Sequence, residues 1–325
     1  MDSLILHRRS IVIDGLNASK HTDPRVIVHL HKGGVTAVNA TVAAWHNSDY
    51  TIRAIKDIQT NIENHKGIAS IVYNHADILN CKETNKVGYI LGFQDTMPIG
   101  QDFGLIKEYY DLGVRIIQLT YNNTNFVGSG CMVKNDTGLT DFGKKAIREM
   151  NRLGILIDLS HCGDETTRQA IEYSEMPVSF THTNPREVCN VKRNKPEELF
   201  ELLVKHGGVA GAVTVPAMLT CNRATTLGHY IDAIDKMVQL IGVDNVALGP
   251  DFMEYLGKDT IDAIFNEMPT SEKKLFLTTN PILGFENASK FDKITNGLME
   301  WGYKNEDIQK ILGLNWLRLY KEVWQ

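Results

Sequence analysis

The feature that most constrains this chain is a recurrence. A short, nearly all-apolar run is followed by a polar turn and then by a segment with helical spacing, and the cycle repeats along the sequence. SIVID at residues 10–14, SIVY at 70–73, VGYILGF at 87–93 and VRIIQLTY at 114–121 read as strands. ILIDL at 155–159, VSFT at 178–181, VAGAV at 209–213 and VALG at 246–249 continue the series. Helical spacing fills residues 142–153, 165–172, 197–205 and 230–241. Strands this short and this uniformly apolar suit a parallel sheet covered on both faces by helices.

Roughly eight such units of ~25–40 residues fit a chain of 325 residues as one (β/α)8 TIM barrel. A single domain over 1–325 is expected, because no linker or low-complexity tract interrupts it. A doubly wound open sheet is the alternative, but neither GxGxxG nor GxxxxGK[ST] follows the first strand. Residues 290–324 read as helices packed on the barrel, with Asn305 or Glu306 opening the middle one and Asp307 in its first turn. Ile308, Ile311, Leu312 and Leu317 are its expected contacts with the barrel.

Hydrophobic residues make up 43% of the chain and the net charge is -5. Without a basic run or an aromatic–basic patch, no nucleic-acid partner is expected, and a small-molecule substrate is the simplest alternative. The five cysteines, Cys81, Cys131, Cys162, Cys189 and Cys221, include no CxxC pair. Their odd number argues against a disulfide framework and for reduced thiols in a cytoplasmic protein. The apolar start of MDSLILHRRS is too short for a signal-peptide core, and no run approaches the ~20 apolar residues of a spanning helix, so no membrane association is expected. Asn-x-Ser/Thr sequons begin at Asn17, Asn39, Asn122, Asn135 and Asn287, and matter only to a secreted chain.

In a barrel the chemistry lies where strands end. Following the apolar runs are Asn17, then Gln94 and Asp95, then Tyr121 and Asn122, then His161, His182 and Asp251. His161 and His182 stand about one strand-to-strand repeat apart, which can bring two imidazoles to one point. Neutral imidazole is a preferred zinc ligand. Asp251 can be a third ligand or a proton carrier. A hydrogen-bonded rim histidine is the ordinary alternative for each.

At these residues the chain resembles the membrane (renal-type) dipeptidase family, over essentially its whole length. GLTDFGKKAIREMNRLGILIDLSHCGDETTRQAI at 138–171 is similar to the family's GLT-x-FG turn, helix and DLSH strand. PVSFTHTNPREVCNVKRNKPEEL at 177–199 resembles its Ser-His-Ser segment and following Arg-Asn pair. GVDNVALGPDF at 242–252 resembles its GSDF segment, and the C-terminal GLMEWGYKNEDIQKILGLNWLRLYKEVW also fits. The resemblance implies a barrel of the metal-dependent hydrolase type, a binuclear zinc dipeptidase and often a homodimer.

Only part of that implied site is present. His161 and His182 match two zinc ligands and Asp251 matches the proton-moving aspartate. Arg193, beside Asn194, matches the arginine that receives the substrate's carboxylate. The family's H-x-D pair falls on Leu16 and Ala18, its bridging glutamate on Gln94, and a substrate-contacting histidine on Tyr121. Its FDG segment has become Phe252-Met253-Glu254. Leu16 and Ala18 cannot ligate, and Gln94 is neutral. Holding two dications here leaves buried charge that costs several kcal/mol per ion, so binuclear zinc is not expected. The H-x-D at His21-Thr22-Asp23 is displaced into the loop with strand parity reversed.

One zinc on His161 and His182, completed by Gln94 or Asp95 and water, is the expected limit. Asp251 is then free to move protons. Arg193, Asn194, Tyr121 and Asn17 are the expected substrate contacts, and Glu254 a further proton donor or acceptor. The expected function is hydrolysis of an amide or peptide-like bond in a small carboxylate-bearing substrate. A metal-free acid–base enzyme (isomerase, lyase or decarboxylase) and an inactive binder remain the alternatives.

Overall fold

The computed structural model describes residues 2–221, 224–266, 268–270, 273, 276 and 281–324. The described residues form nine strands: β1 Ile13–Asn17, β2 Ala37–Ala43, β3 Ala69–Ile71, β4 Val87–Phe93, β5 Val114–Gln118, β6 Leu156–Asp158, β7 Ser179–Phe180, β8 Val209–Ala212 and β9 Val246–Leu248. All pair in parallel, in the order β1-β2-β4-β5-β6-β7-β8-β9. The ring closes just beyond β9. There Asn17 bridges Phe252, the Ala18 N–H donates to Phe252 O at 2.8 Å, and the Asp251 N–H donates to Leu16 O at 3.0 Å. The expected (β/α)8 barrel is the architecture observed.

Two strand assignments change. The SIVY run supplies β3, which stands outside the eight-membered path and pairs with residues 87–89 of β4, while β5 takes residues 91–93. The second barrel strand is instead AVNATVA, where Asn39 and Thr41 interrupt the apolar pattern. Both are held by neighbours in or beside the sheet, although the buried Asn39 Oδ1 has no partner. Asn39 Nδ2 donates to Gly15 O at 2.9 Å, and Thr41 Oγ1 accepts from Gln94 Nε2 at 2.9 Å. The first strand also starts later than expected, because Ser10 caps the N-terminal helix Ser3–Arg9.

The end of the barrel away from the strand C-termini is plugged. Ile13, Ala37, Ile90, Ile116, Leu156, Val209 and Ala247 form one apolar layer with Trp316, Leu319, Tyr320 and Val323 from the C-terminal helix Asn315–Val323 and with Trp324, which caps it. Trp316 is fully buried and its Nε1–H donates to Leu248 O at 2.9 Å. Gly313 lets this helix approach the chain before β1, since a Cβ there would lie 2.5 Å from Ile11 O. Ile308, Ile311 and Leu312 are buried as expected, with Leu317 partly so. This plug leaves the strand C-termini as the open end.

The cysteine expectation is overturned. Cys189 and Cys221 form a disulfide, while Cys81, Cys131 and Cys162 are free and buried. Spacing alone could not reveal the pair, because the fold brings residues 32 apart in sequence to a Cα separation of 5.6 Å. Among the described residues no helix is long and apolar enough to cross a membrane.

Candidate active site

His161 and His182 follow β6 and β7, and the two rings meet. Their Nε2 atoms are 3.0 Å apart. His161 Nδ1 lies 2.8 Å from Asn122 Oδ1, an amide oxygen that can only accept, so Nδ1 carries the hydrogen. The Cys131 thiol points at the same oxygen. His182 Nδ1 lies 2.7 Å from Thr181 Oγ1, whose own hydrogen goes to Asp158 Oδ2 at 2.7 Å. The Thr181 hydroxyl therefore accepts from His182 Nδ1. Both hydrogens of the neutral rings are thus accounted for, and both Nε2 atoms present lone pairs to each other.

Asp158 fixes this arrangement from inside the barrel. It also accepts from Ser160 N, Ser160 Oγ and Thr181 N. Burial, with the nearby guanidinium of Arg193, holds both imidazoles well below their ordinary value and therefore neutral. Gly249 permits the close approach of β9 to this strand end, since a Cβ there would lie 1.8 Å from Thr181 O.

Asp251 sits just after β9 with φ 63°, and Asn122 just after β5 with φ 59°. Left-handed backbone at a non-glycine residue is uncommon and gathers at functional sites. Burial raises the Asp251 carboxyl to about 7, with Asp158 adding to the effect and Arg193 opposing it. One buried cation thus acts on His161, His182 and Asp251 together.

The open end holds a cavity of about 760 Å³. Gln94, Tyr121 and Asp251 are among its lining residues, and His161 and His182 are not. The Tyr121 ring stacks on His161 with centroids 4.1 Å apart and meets Trp45 edge-on at 5.0 Å. Tyr121 therefore borders both the cavity and the histidine pair. The outer walls come from one face of the helix Ser48–Asn64, carrying Tyr50, Arg53, Ala54, Asp57 and Ile58, and one face of the helix Lys258–Asn266. These wall residues were missed in the sequence, although their spacing is that of a single helical face.

Other expected contacts are engaged within the protein. Arg193 is 2% exposed, donates to Ser160 O at 2.6 Å and His182 O at 3.5 Å, and does not line the cavity. Asn194 Nδ2 braces Cys189 O and Met218 O. Asn17 Nδ2 donates to Asp14 Oδ2 and its Oδ1 accepts from Ser19 N. Glu254 pairs with His29 and accepts from Ala288 N.

The donor set for a metal is limited. Asp95 accepts from Met97 N, Tyr121 N and Asn125 Nδ2, which occupies its carboxylate. Gln94 turns its amide nitrogen to Thr41. In the displaced H-x-D, His21 Nε2 donates to Asn17 O, while Asp23 caps a helix and pairs with Arg25. Among the described residues no group of three His, Cys, Asp or Glu side chains can hold a metal ion. Two metals do not fit this site. The facing imidazoles fit two ligands of one.

A closed parallel barrel with two histidines and an aspartate after its strands defines a (β/α)8-barrel protein with a polar site at the end where such barrels carry their chemistry. The sequence profile of the membrane dipeptidase family (peptidase family M19) matches residues 3–264, and the chain belongs to that family. It is 28% identical to mouse (Mus musculus) Dipeptidase 3 over 256 residues, which is 77% of this chain and 47% of that protein. The chain thus spans about half the length of the curated relatives it matches. An amidohydrolase structure from Pseudomonas aeruginosa superposes with a TM-score of 0.96 at 32% identity, covering 100% of this chain and 99% of that one. A Rhodobacter sphaeroides metallopeptidase, liganded with a phosphinate mimic of L-Ala-D-Ala, shares the fold with a TM-score of 0.82 at 16% identity, over 97% and 100% of the two chains.

Proposed function

We propose that this chain hydrolyses an amide or peptide-like bond in a small carboxylate-bearing substrate, with at most one metal ion, held by His161 and His182. The observation that carries this reading is the facing pair of Nε2 lone pairs. Two lone pairs 3.0 Å apart repel unless a cation stands between them. The surrounding hydrogen bonds from Nδ1 orient both rings as outer partners orient ligating histidines. A zinc ion held by His161 and His182 would supply Lewis acidity, lowering the pKa of a water and polarising a carbonyl.

The chain's own residues do the rest. Asp251, with its carboxyl near neutrality, takes a proton from the attacking water and returns one to the leaving amine. The Tyr121 ring shields His161 from bulk water. Burial, with Arg193 adding to it, keeps both imidazoles unprotonated and available as ligands.

The limited donor set favours a second reading, in which Asp251 performs metal-free proton transfer on the same substrate class. Metal content per chain, measured with turnover of a dipeptide panel before and after added zinc, separates the two. Metal-free protein that zinc does not activate on any dipeptide ends the hydrolase reading.

A further inference from the structure

The cavity needs a cation if it is to take a carboxylate, and Arg193 does not line it. Arg53 does, from the mouth. It lies on the helix Ser48–Asn64, in register with Tyr50, Ala54, Asp57 and Ile58, which all line the cavity. No carboxylate among the described residues pairs with it, although Asp57 stands one turn further on the same helix. Lys20 is the other exposed cation of the lining. A guanidinium offers a planar fork that matches a carboxylate, which an ammonium does not.

The same lining includes the apolar and aromatic side chains of Ala54, Ile58, Trp45 and Tyr121, and Asp251. We propose that Arg53 is the specificity-determining residue that receives the substrate's free carboxylate at the mouth. The scissile bond then lies at the Asp251 end and an apolar or aromatic side chain lies between. Asp57, one turn along the helix from Arg53, and Asp259 are exposed residues of the same lining and disfavour a second negative charge. This inference rests on the hydrolase reading for its scissile bond, but its carboxylate contact can be tested by binding alone.

The probes are a dipeptide phosphinate mimic with a free carboxylate and the same compound as its amide. Calorimetry measures both against the wild type, Arg53→Met, Arg53→Lys and Lys20→Met, with KM and kcat on matched dipeptides where turnover exists. Loss of one charge-assisted contact weakens the acid by about tenfold in Arg53→Met. The amide should be unchanged, kcat nearly so, and Arg53→Lys should recover part of the loss. Equal weakening of acid and amide, no weakening, loss in Lys20→Met instead, or no binding of the acid by the wild type each overturns the assignment. Acid binding that depends on Arg53 without any dipeptide turnover keeps the assignment and removes the hydrolase reading. Arg53 is exposed, so an unchanged melting temperature is expected and verifies folding.

Discussion

His161 and His182 face each other through Nε2 atoms 3.0 Å apart, each with its Nδ1 hydrogen committed to a neighbour. The relationship depends on parity and length in two successive strands, and on Asp158 behind them. It joins two rim histidines into one facing pair.

The first prediction concerns stoichiometry. Elemental analysis after zinc or cobalt loading should find no more than one ion per chain, falling to background in His161→Asn and in His182→Asn. Returning the missing ligands, as Leu16→His, Ala18→Asp and Gln94→Glu together, should raise uptake above one. Two ions in the unaltered chain contradict the charge argument directly.

The second concerns pH. The folded carboxyl of Asp251 is raised from 3.8 to about 7, so the folded state binds more protons than the unfolded one between those values. Its ionisation therefore removes stability as pH rises through that window, and the penalty is absent below it. The lowered histidines act in the opposite direction, removing stability as pH falls below 6.5. Asp251→Asn isolates the first effect. Chemical denaturation should show the variant gaining on the wild type from pH 4 to pH 7, while turnover falls by about 10²-fold or more. A constant stability difference across that range counts against the raised carboxyl.

The third concerns the cross-link. In denaturant without reductant, thiol titration should count the three free cysteines Cys81, Cys131 and Cys162. Replacing Cys189 and Cys221 by alanine should cost about 2–4 kcal/mol. It should also loosen the segment that carries Arg193, because Asn194 is tied to the Cys189 carbonyl. Five reactive thiols would mean that the pair is reduced in the protein as isolated.

The fourth concerns the plug. Trp316→Ala removes a fully buried indole and its hydrogen bond to Leu248 O. A loss of about 3–5 kcal/mol is expected. Metal uptake at the opposite end should persist at temperatures where the variant stays folded, which equilibrium unfolding and metal titration can compare.

Much of this was legible in the chain itself. Seven of the eight barrel strands announce themselves as apolar runs, because a strand between helices and a packed interior has no solvent face. The exception, β2, hides because its Asn39 and Thr41 meet polar partners on β1 and just after β4, and partners across a sheet leave no local signature. SIVY misleads for the converse reason: an accessory strand has the same composition as a barrel strand. At the site, the strand-end rule picked out His161, His182 and Asp251, because a residue's place at the end of an apolar run is local information.

What the sequence by itself determined was the parallel barrel and the residues at its strand ends, and its resemblance to the dipeptidase family implied the loss of ligands at Leu16, Ala18 and Gln94. The tertiary structure alone decided that the two imidazoles meet through bare nitrogens. It also put Arg193 behind them rather than in the cavity, placed Arg53 at the mouth, and closed Cys189 on Cys221. The physical reason is the same in each case. Hydrophobic periodicity is written along the chain, whereas the direction of a hydrogen bond, the burial of a charge and the meeting of two distant side chains exist only once the barrel has closed.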